Sequence, residues 1–248
     1  MGDGTVRKVC VSGGAGFLGS YVANLFGLDH EVAILDKGTY ASDINRLEPK
    51  LRHRVIDCDI TDTLQLQRAF QILQTNNLVP ELIIHTAAET HVDRSNSDAR
   101  KFILTNILGT YNIMEFANAC GAKVIHFSTD EVFGVTESGA FKETDRLDPR
   151  NPYSATKAGA EFTATVQAAL NSISLTIVRP SNCYGPTQNV EKFIPHSILG
   201  DAIDVYGEGS QRREWTYAPD LAQAIRILAD APDGIYNIGS GEEHTNLE

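Results

Sequence analysis

Two adjacent carboxylates, Asp130 and Glu131, stand in STDEVFG (128–134), directly after the apolar run KVIHF, which reads as a buried strand. An isolated Asp-Glu pair is ordinarily a solvated turn. Here the pair follows a hydroxyl, Thr129, where a strand runs out, which is where a reactant can meet side chains. A second pair lies in PYSATKAGAE (152–161), where Tyr153 and Lys157 are four residues apart and so share one helix face. A nearby ammonium favours phenolate, so the spacing predicts a tyrosine pKa lowered toward the working pH. Such a tyrosine can take a proton from a substrate hydroxyl.

These residues need a scaffold, and the chain alternates strands with helices. VRKVCVSG, EVAILD, RVIDCDI, ELIIHTAA, KVIHFST and LTIVRPSN read as strands, and segments 63–75, 98–120 and 152–171 read as amphipathic helices. Continuous apolar strands separated by helices predict an α/β fold with a doubly wound parallel sheet covered on both faces. After residue 180 the pattern loosens. A short strand near DVYG, a helix over 219–230 and a last strand IYNIG are expected there. The predicted organisation is a dinucleotide-binding domain over 1–178 and a small substrate-binding lobe over 179–248, with 219–239 returning to the main body.

SGGAGFLGS (12–20) joins the first strand to a helix, and Gly13, Gly16 and Gly19 give GxxGxxG, while Gly14, Gly16 and Gly19 satisfy GxGxxG. Glycines there permit a tight turn and bring helix N–H groups and the positive dipole end to a pyrophosphate. Asp36 ends the next strand about twenty residues on, where a carboxylate accepts from ribose hydroxyls and repels a 2′-phosphate. The expected cofactor is NAD rather than NADP, with the neighbouring Lys37 as a counter-indication. Lys157 would hold the nicotinamide ribose.

At 248 residues and 42% hydrophobic content the chain can bury a full core. A net charge of -11 leaves no broad basic surface for nucleic acid or an anionic membrane. No apolar run reaches the length of a membrane span, and the start has no signal-peptide hydrophobic region, so a cytoplasmic protein is expected. The four cysteines are scattered and the seven histidines form no ligand pattern, so no metal is expected. His85 and His126 lie inside apolar strands and are expected to be packed or hydrogen-bonded there.

The blocks GGAGFLGS, LDKGTYAS, HTAAETHVDRS, FILTNILGTYN, STDEVFG, NPYSATKAGAE, SNCYGP, EKFIP, YGEGSQRREWTYAPD and YNIGSG run through almost the whole chain. In kind and order they resemble the nucleotide-sugar 4,6-dehydratases of the extended short-chain dehydrogenase/reductase family, most closely the dTDP-glucose 4,6-dehydratase pattern. The resemblance implies oxidation of an NDP-hexose at C4, loss of water across C5 and C6, and return of hydride to C6, with NAD retained between turnovers. Tyr153 would take the C4 hydroxyl proton, with Lys157 beside it and Thr129 hydrogen-bonding the C4 oxygen. Glu131 would remove the C5 proton, and a protonated Asp130 would donate to the departing C6 hydroxyl, two carboxylates with opposite protonation states.

The same resemblance implies NAD contacts at Phe17, Leu18, Asp36, Lys37, Thr39, Asp59, Ile60, Ala87, Ala88, Thr105 and Cys183, the last replacing an Asn of the family pattern. It implies substrate contacts at Thr90, Asn182, Lys192, Tyr206, Arg213 and Asn237, where Lys192 and Arg213 supply the cations a diphosphate needs. TQNVEKFIP and Leu221 also depart from the pattern, and family members continue beyond the point where this chain ends. dTDP-glucose and UDP-sugars are the foremost substrates, with CDP- and GDP-sugars open. The alternatives are an epimerase or decarboxylase on the same scaffold, or a catalytically silent NAD- or sugar-nucleotide-binding protein. A homodimer is implied through 98–120 and 152–171, although Ile103, Ile107, Tyr111 and Met114 could equally be core.

Overall fold

The computed structural model describes residues 6–135, 139–200, 209, 212–245 and 247. The chain opens with β1 (Lys8–Ser12), α1 (Phe17–Phe26), β2 (Glu31–Asp36), the short α2 (Pro49–Arg52), β3 (Val55–Asp57), α3 (Thr63–Thr75) and β4 (Leu82–His85). It continues through α4 (Val92–Ser97), α5 (Ala99–Phe102), a π-helical segment (Ile103–Leu108), α6 (Gly109–Cys120) and β5 (Lys123–Phe127). A 3-10 turn (Asp130–Phe133), α7 (Pro152–Asn171), β6 (Leu175–Pro180), β7 (Asn182–Tyr184) and α8 (Phe193–Leu199) follow. The last elements are β8 (Arg212–Tyr217), α9 (Ala218–Leu228), β9 (Gly234–Ile238) and β10 (Glu243–Thr245).

Seven strands form one sheet in the order β3-β2-β1-β4-β5-β6-β9, with every neighbouring pair parallel. Successive side chains of a strand point to opposite faces, so each strand feeds two cores. Val9, Val11, Ile34, Ile84 and Ile125 pack with α1 and α9 on one face; Cys10, Leu35, Ile83 and Val124 pack with α3, α6 and α7 on the other. Each such aliphatic side chain fully removed from water contributes about 1.5–3 kcal/mol. The strand order reverses between β1 and β4, and at such a switch point the crevice beyond the strand C-termini is where ligands bind. A separate three-stranded sheet, β10-β8-β7, lies beyond the end of β6. The chain runs from β8 into α9, which packs on α1, and then into β9, the edge strand of the main sheet.

Two expectations need adjustment. The helix expected over 98–120 is broken: α5 passes through the π segment before α6 begins. Inside that segment the Asn106 side chain is tied to the backbone of Glu89 on both sides and to the Thr156 hydroxyl. Such insertions are frequent at functional sites, and here Thr105 is turned toward the crevice. RVIDCDI yields only a three-residue edge strand, β3. The strand expected near DVYG lies outside the described residues.

Candidate active site

The crevice is a single cavity of about 430 Å³ running from the glycine loop, past the ends of β4 and β5, to Phe193 and Trp215. Gly13 has φ +74°, and a Cβ there would lie 2.7 Å from the Ala87 backbone, so the turn off β1 and its approach to the end of β4 both require glycine. A Cβ on Gly19 would come closer still to the Gly13 carbonyl oxygen. α1 has no side-chain cap at its N-terminus, and Gly16, Phe17, Leu18 and Gly19 line the cavity. Uncapped N–H groups and the positive helix end therefore face it, which is the donor set a pyrophosphate needs.

Asp36, 7% exposed at the end of β2, also borders the cavity. Its carboxylate accepts from the Ala15 N–H (3.0 Å), the Gly38 N–H (2.9 Å) and the Ser42 hydroxyl (2.7 Å). A carboxylate has about four acceptor positions, so one stays open toward a ribose hydroxyl and Ser42 can yield a second. Lys37 is held by Asp59 at 3.3 Å, which offsets the ammonium that counted against NAD. Asp59 does not line the cavity; it acts through Lys37, and its carboxylate is further occupied by Thr61. Thr39, Ile60, Ala87, Ala88, Thr105 and Cys183 do line it. The residues present fit a bound dinucleotide.

At the far end of β5, Thr129 is the N-cap of the 3-10 turn, its hydroxyl accepting from the Glu131 N–H at 3.3 Å. The turn points Asp130 and Glu131 into the cavity that Tyr153 and Lys157 enter from α7. Tyr153 is 8% and Lys157 4% exposed. The Lys157 ammonium donates to the Phe127 carbonyl at 2.5 Å, and the bidentate Glu161–Arg179 pair (2.7 and 3.0 Å), wholly buried, ties α7 to β6. Burial, and then the charge of Glu131, push the Asp130 carboxyl up to about 6. Burial lowers Lys157 to about 8, against the pull of Glu161.

Tyr153 corrects an expectation. Its pKa lies above the ordinary value of 10, raised by burial and then by Glu131, with Asp130 adding to this and only the hydrogen bond with Thr129 opposing it. Helical spacing does place Lys157 on the same face, but its nitrogen is committed to the Phe127 carbonyl. In the protein alone, desolvation and two carboxylates oppose the phenolate.

Among the substrate positions, Thr90, Asn182 and Lys192 line the cavity, and the Lys192 ammonium rests on the Thr90 carbonyl at 3.2 Å. Arg213 and Asn237 do not. Arg213 is exposed on β8, its guanidinium donating to the Arg212 carbonyl, and its charge eases ionisation of Asp130. The Asn237 amide is turned to the Phe141 carbonyl (3.0 Å), because β9 pairs with β6 and carries that side chain away from the crevice. Tyr206 lies outside the described residues. His85 bonds Ser12 and Thr110, whereas both ring nitrogens of His126 are buried without a partner among the described residues, its ring tilted against His85. Burial holds both histidines neutral, His85 near 3.

Asn151 was not singled out from the sequence. Its side chain caps α7 by accepting from the Ser154 N–H (2.8 Å), and its amide nitrogen donates to Glu131 at 3.0 Å. The cap is legible in NPYS, an Asn before a Pro at the first helical position. The bond to a residue twenty positions earlier is not.

A glycine-turned dinucleotide crevice with a Tyr and a Lys one helical turn apart beneath it defines an extended short-chain dehydrogenase/reductase. The chain belongs to the NAD dependent epimerase/dehydratase family, whose model matches residues 9–239. It is 39% identical to the low-salt glycan biosynthesis protein Agl12 of Haloferax volcanii, covering 97% of this chain and 79% of that one. It is 38% identical to a probable dTDP-glucose 4,6-dehydratase of Sinorhizobium fredii, covering 97% and 73%. Among solved structures, DesIV of Streptomyces venezuelae, a dTDP-glucose 4,6-dehydratase with NAD bound, superposes with a TM-score of 0.87 at 36% identity, covering 96% of this chain and 77% of that one. A UDP-glucose 4-epimerase of Thermus thermophilus in complex with NAD reaches 0.85 at 28% identity, covering 96% and 79%. Fold alone therefore does not separate dehydratase from epimerase, and the side chains must.

Proposed function

We propose that the protein is an NAD-dependent nucleotide-sugar 4,6-dehydratase, converting an NDP-hexose, dTDP-glucose or a UDP-hexose foremost, to its 4-keto-6-deoxy derivative. The observation that carries this is the Asp130–Glu131 pair. Both carboxylates share one cavity with Tyr153 and Lys157, yet their surroundings differ: Glu131 accepts from an amide, while Asp130, partly buried and with the Thr129 hydroxyl as its side-chain partner among the described residues, is pushed up to about 6. Alcohol oxidation alone has no use for such a pair. Elimination of water needs a base at one carbon and an acid at the next.

NAD, when bound against the glycine loop, supplies the acceptor for hydrogen from C4, a cationic ring that favours the Tyr153 phenolate, and the donor that refills C6. Tyr153 takes the C4 hydroxyl proton while Thr129 holds the same oxygen. The resulting ketone acidifies the C5 hydrogen, which Glu131 removes. Asp130 passes its proton to the C6 hydroxyl, and water leaves; as C6 is refilled Glu131 returns its proton to C5, and Tyr153 and Asp130 regain their starting states by losing and gaining one proton through solvent. Lys192 serves the diphosphate; burial lowers its pKa, which an arriving dianion would reverse.

The protein acts as a homodimer in this reading. Phe162, Val166 and Leu170 form an exposed apolar stripe along α7, and Ile103, Leu104, Leu108 and Tyr111 are exposed beside it, whereas Met114 is wholly buried and belongs to the core. Among the described residues no helix is long and apolar enough to cross a membrane. A cytoplasmic location accords with an acidic chain of scattered free thiols.

The test is incubation of the purified protein with dTDP-, UDP-, CDP- and GDP-hexoses, followed by mass spectrometry. Loss of one water from one of them is expected. A product of unchanged mass and altered stereochemistry, or no product with NAD supplied, overturns the assignment.

A further inference from the structure

Glu131 must face the carbon next to the one whose hydroxyl Tyr153 serves, yet the two residues sit on different elements, the 3-10 turn after β5 and the first turn of α7. A direct side-chain link joins them. Asn151, the N-cap of α7, accepts from the Ser154 N–H through Oδ1 at 2.8 Å and donates through Nδ2 to Glu131 Oε2 at 3.0 Å. The Asn151 N–H is bonded in turn to the Ser154 hydroxyl, completing a capping box.

The orientation of that amide is forced. A backbone N–H can only donate, so the oxygen must face Ser154, and the nitrogen, which can only donate, must face the carboxylate. Reversing the amide would set N–H against N–H and oxygen against carboxylate. The helix cap thereby fixes which atom Glu131 meets, and an N–H donor is matched to a carboxylate in its charged, base-competent form. Asp130 has no equivalent among the described residues, where its side-chain partner is the Thr129 hydroxyl at 3.2 Å.

We infer that Asn151 is a positioning residue for the elimination step, holding Glu131 as the base in register with Tyr153 by tying the 3-10 turn to the first turn of α7. The inference rests on the dehydratase reading and deepens it: the residue that caps the helix of the oxidation step also aims the base of the step that follows.

Two substitutions separate the link from the cap. Asn151→Ser retains an oxygen for the Ser154 N–H, Ser being about as good an N-cap as Asn, but is too short to reach Glu131. Asn151→Asp retains the cap and sets a carboxylate against Glu131. The measurements are Tm, single-turnover build-up of 4-keto sugar with reduced cofactor, exchange of the C5 hydrogen with deuterated solvent, and water loss. Asn151→Ser is expected to keep Tm and C4 oxidation near wild type, whereas the carboxylate pair in Asn151→Asp should lower Tm at neutral pH and lose that penalty as the pH falls. C5 exchange and water loss should fall about 10- to 100-fold in Asn151→Ser, the worth of one hydrogen bond to a charged group, and further in Asn151→Asp. Oxidation and elimination falling together would reduce Asn151 to a helix cap, and unchanged elimination would remove its role altogether. Wild-type protein that releases no water from any nucleotide hexose would instead overturn the dehydratase reading on which the inference stands.

Discussion

Replacing Asp130 by Asn should make the protein more stable and less active, by amounts that follow from its surroundings. The carboxyl titrates near 6 in the folded chain against an ordinary 3.8, because it is buried and faces the charge of Glu131. A difference of about two pH units corresponds to about 3 kcal/mol against the ionised form. The Glu131 contribution is screened by salt, so about 1–3 kcal/mol is the working range. Well below pH 4, at about 3 and under, the folded and unfolded chains are both protonated at this position, and the acid and the amide should be nearly equivalent. Between about 4 and 6 the folded state binds the proton more tightly, so wild type loses stability as pH rises while the variant, which never ionises, does not. Above pH 7 the gain should be complete, about 4–8 °C in Tm for a 2 kcal/mol change in a chain of this length. Asn retains an oxygen to accept from the Thr129 hydroxyl, so the comparison isolates the charge. The assay is thermal unfolding of both proteins across pH 4 to 8 at matched cofactor saturation, in dilute solution because the pI of about 5.1 falls inside the window. A Tm difference independent of pH, or a variant less stable than wild type at pH 8, would refute the reasoning. Water loss should fall about 10²- to 10⁴-fold, the range for losing a general acid.

Glu131→Gln should halt turnover after oxidation, accumulating 4-keto sugar with bound reduced cofactor, whereas Tyr153→Phe should block oxidation itself; rapid-scan absorbance distinguishes the two, and full turnover by either removes its assigned role. Gly13→Ala, with φ +74° and the Ala87 backbone 2.7 Å from the new Cβ, should cost about 2–4 kcal/mol in urea unfolding and weaken NAD binding in a titration. Phe162→Glu, at the centre of the exposed stripe between α7 and the π segment, should yield a monomer by light scattering, and an unchanged mass would place the interface elsewhere.

Much of this molecule is legible in local pattern. The apolar runs around Val9–Val11, Ile83–Ile84 and Val124–Ile125 make parallel strands, because only a sheet covered on both faces buries every position. The glycine spacing after β1 and the Asp at the end of β2 mark the dinucleotide crevice, because a backbone at positive φ and an uncapped helix start are local properties. Tyr153 and Lys157 share a face through helical period alone. What tertiary structure decided are the quantities that depend on many distant neighbours. In the protein alone burial and the charge of Glu131 raise the Tyr153 pKa, an influence that helical spacing does not carry. Lys37 is held by Asp59 across strands, Asn237 is carried away from the crevice by the pairing of β9 with β6, and a π segment around Asn106 interrupts a helix that periodicity alone would leave regular. The bond from Asn151 to Glu131 joins two turns that only the packing of α7 against β5 and β6 brings together. Hydrogen bonds of this kind, like desolvation, arise from proximity in space and leave no periodic trace along the chain.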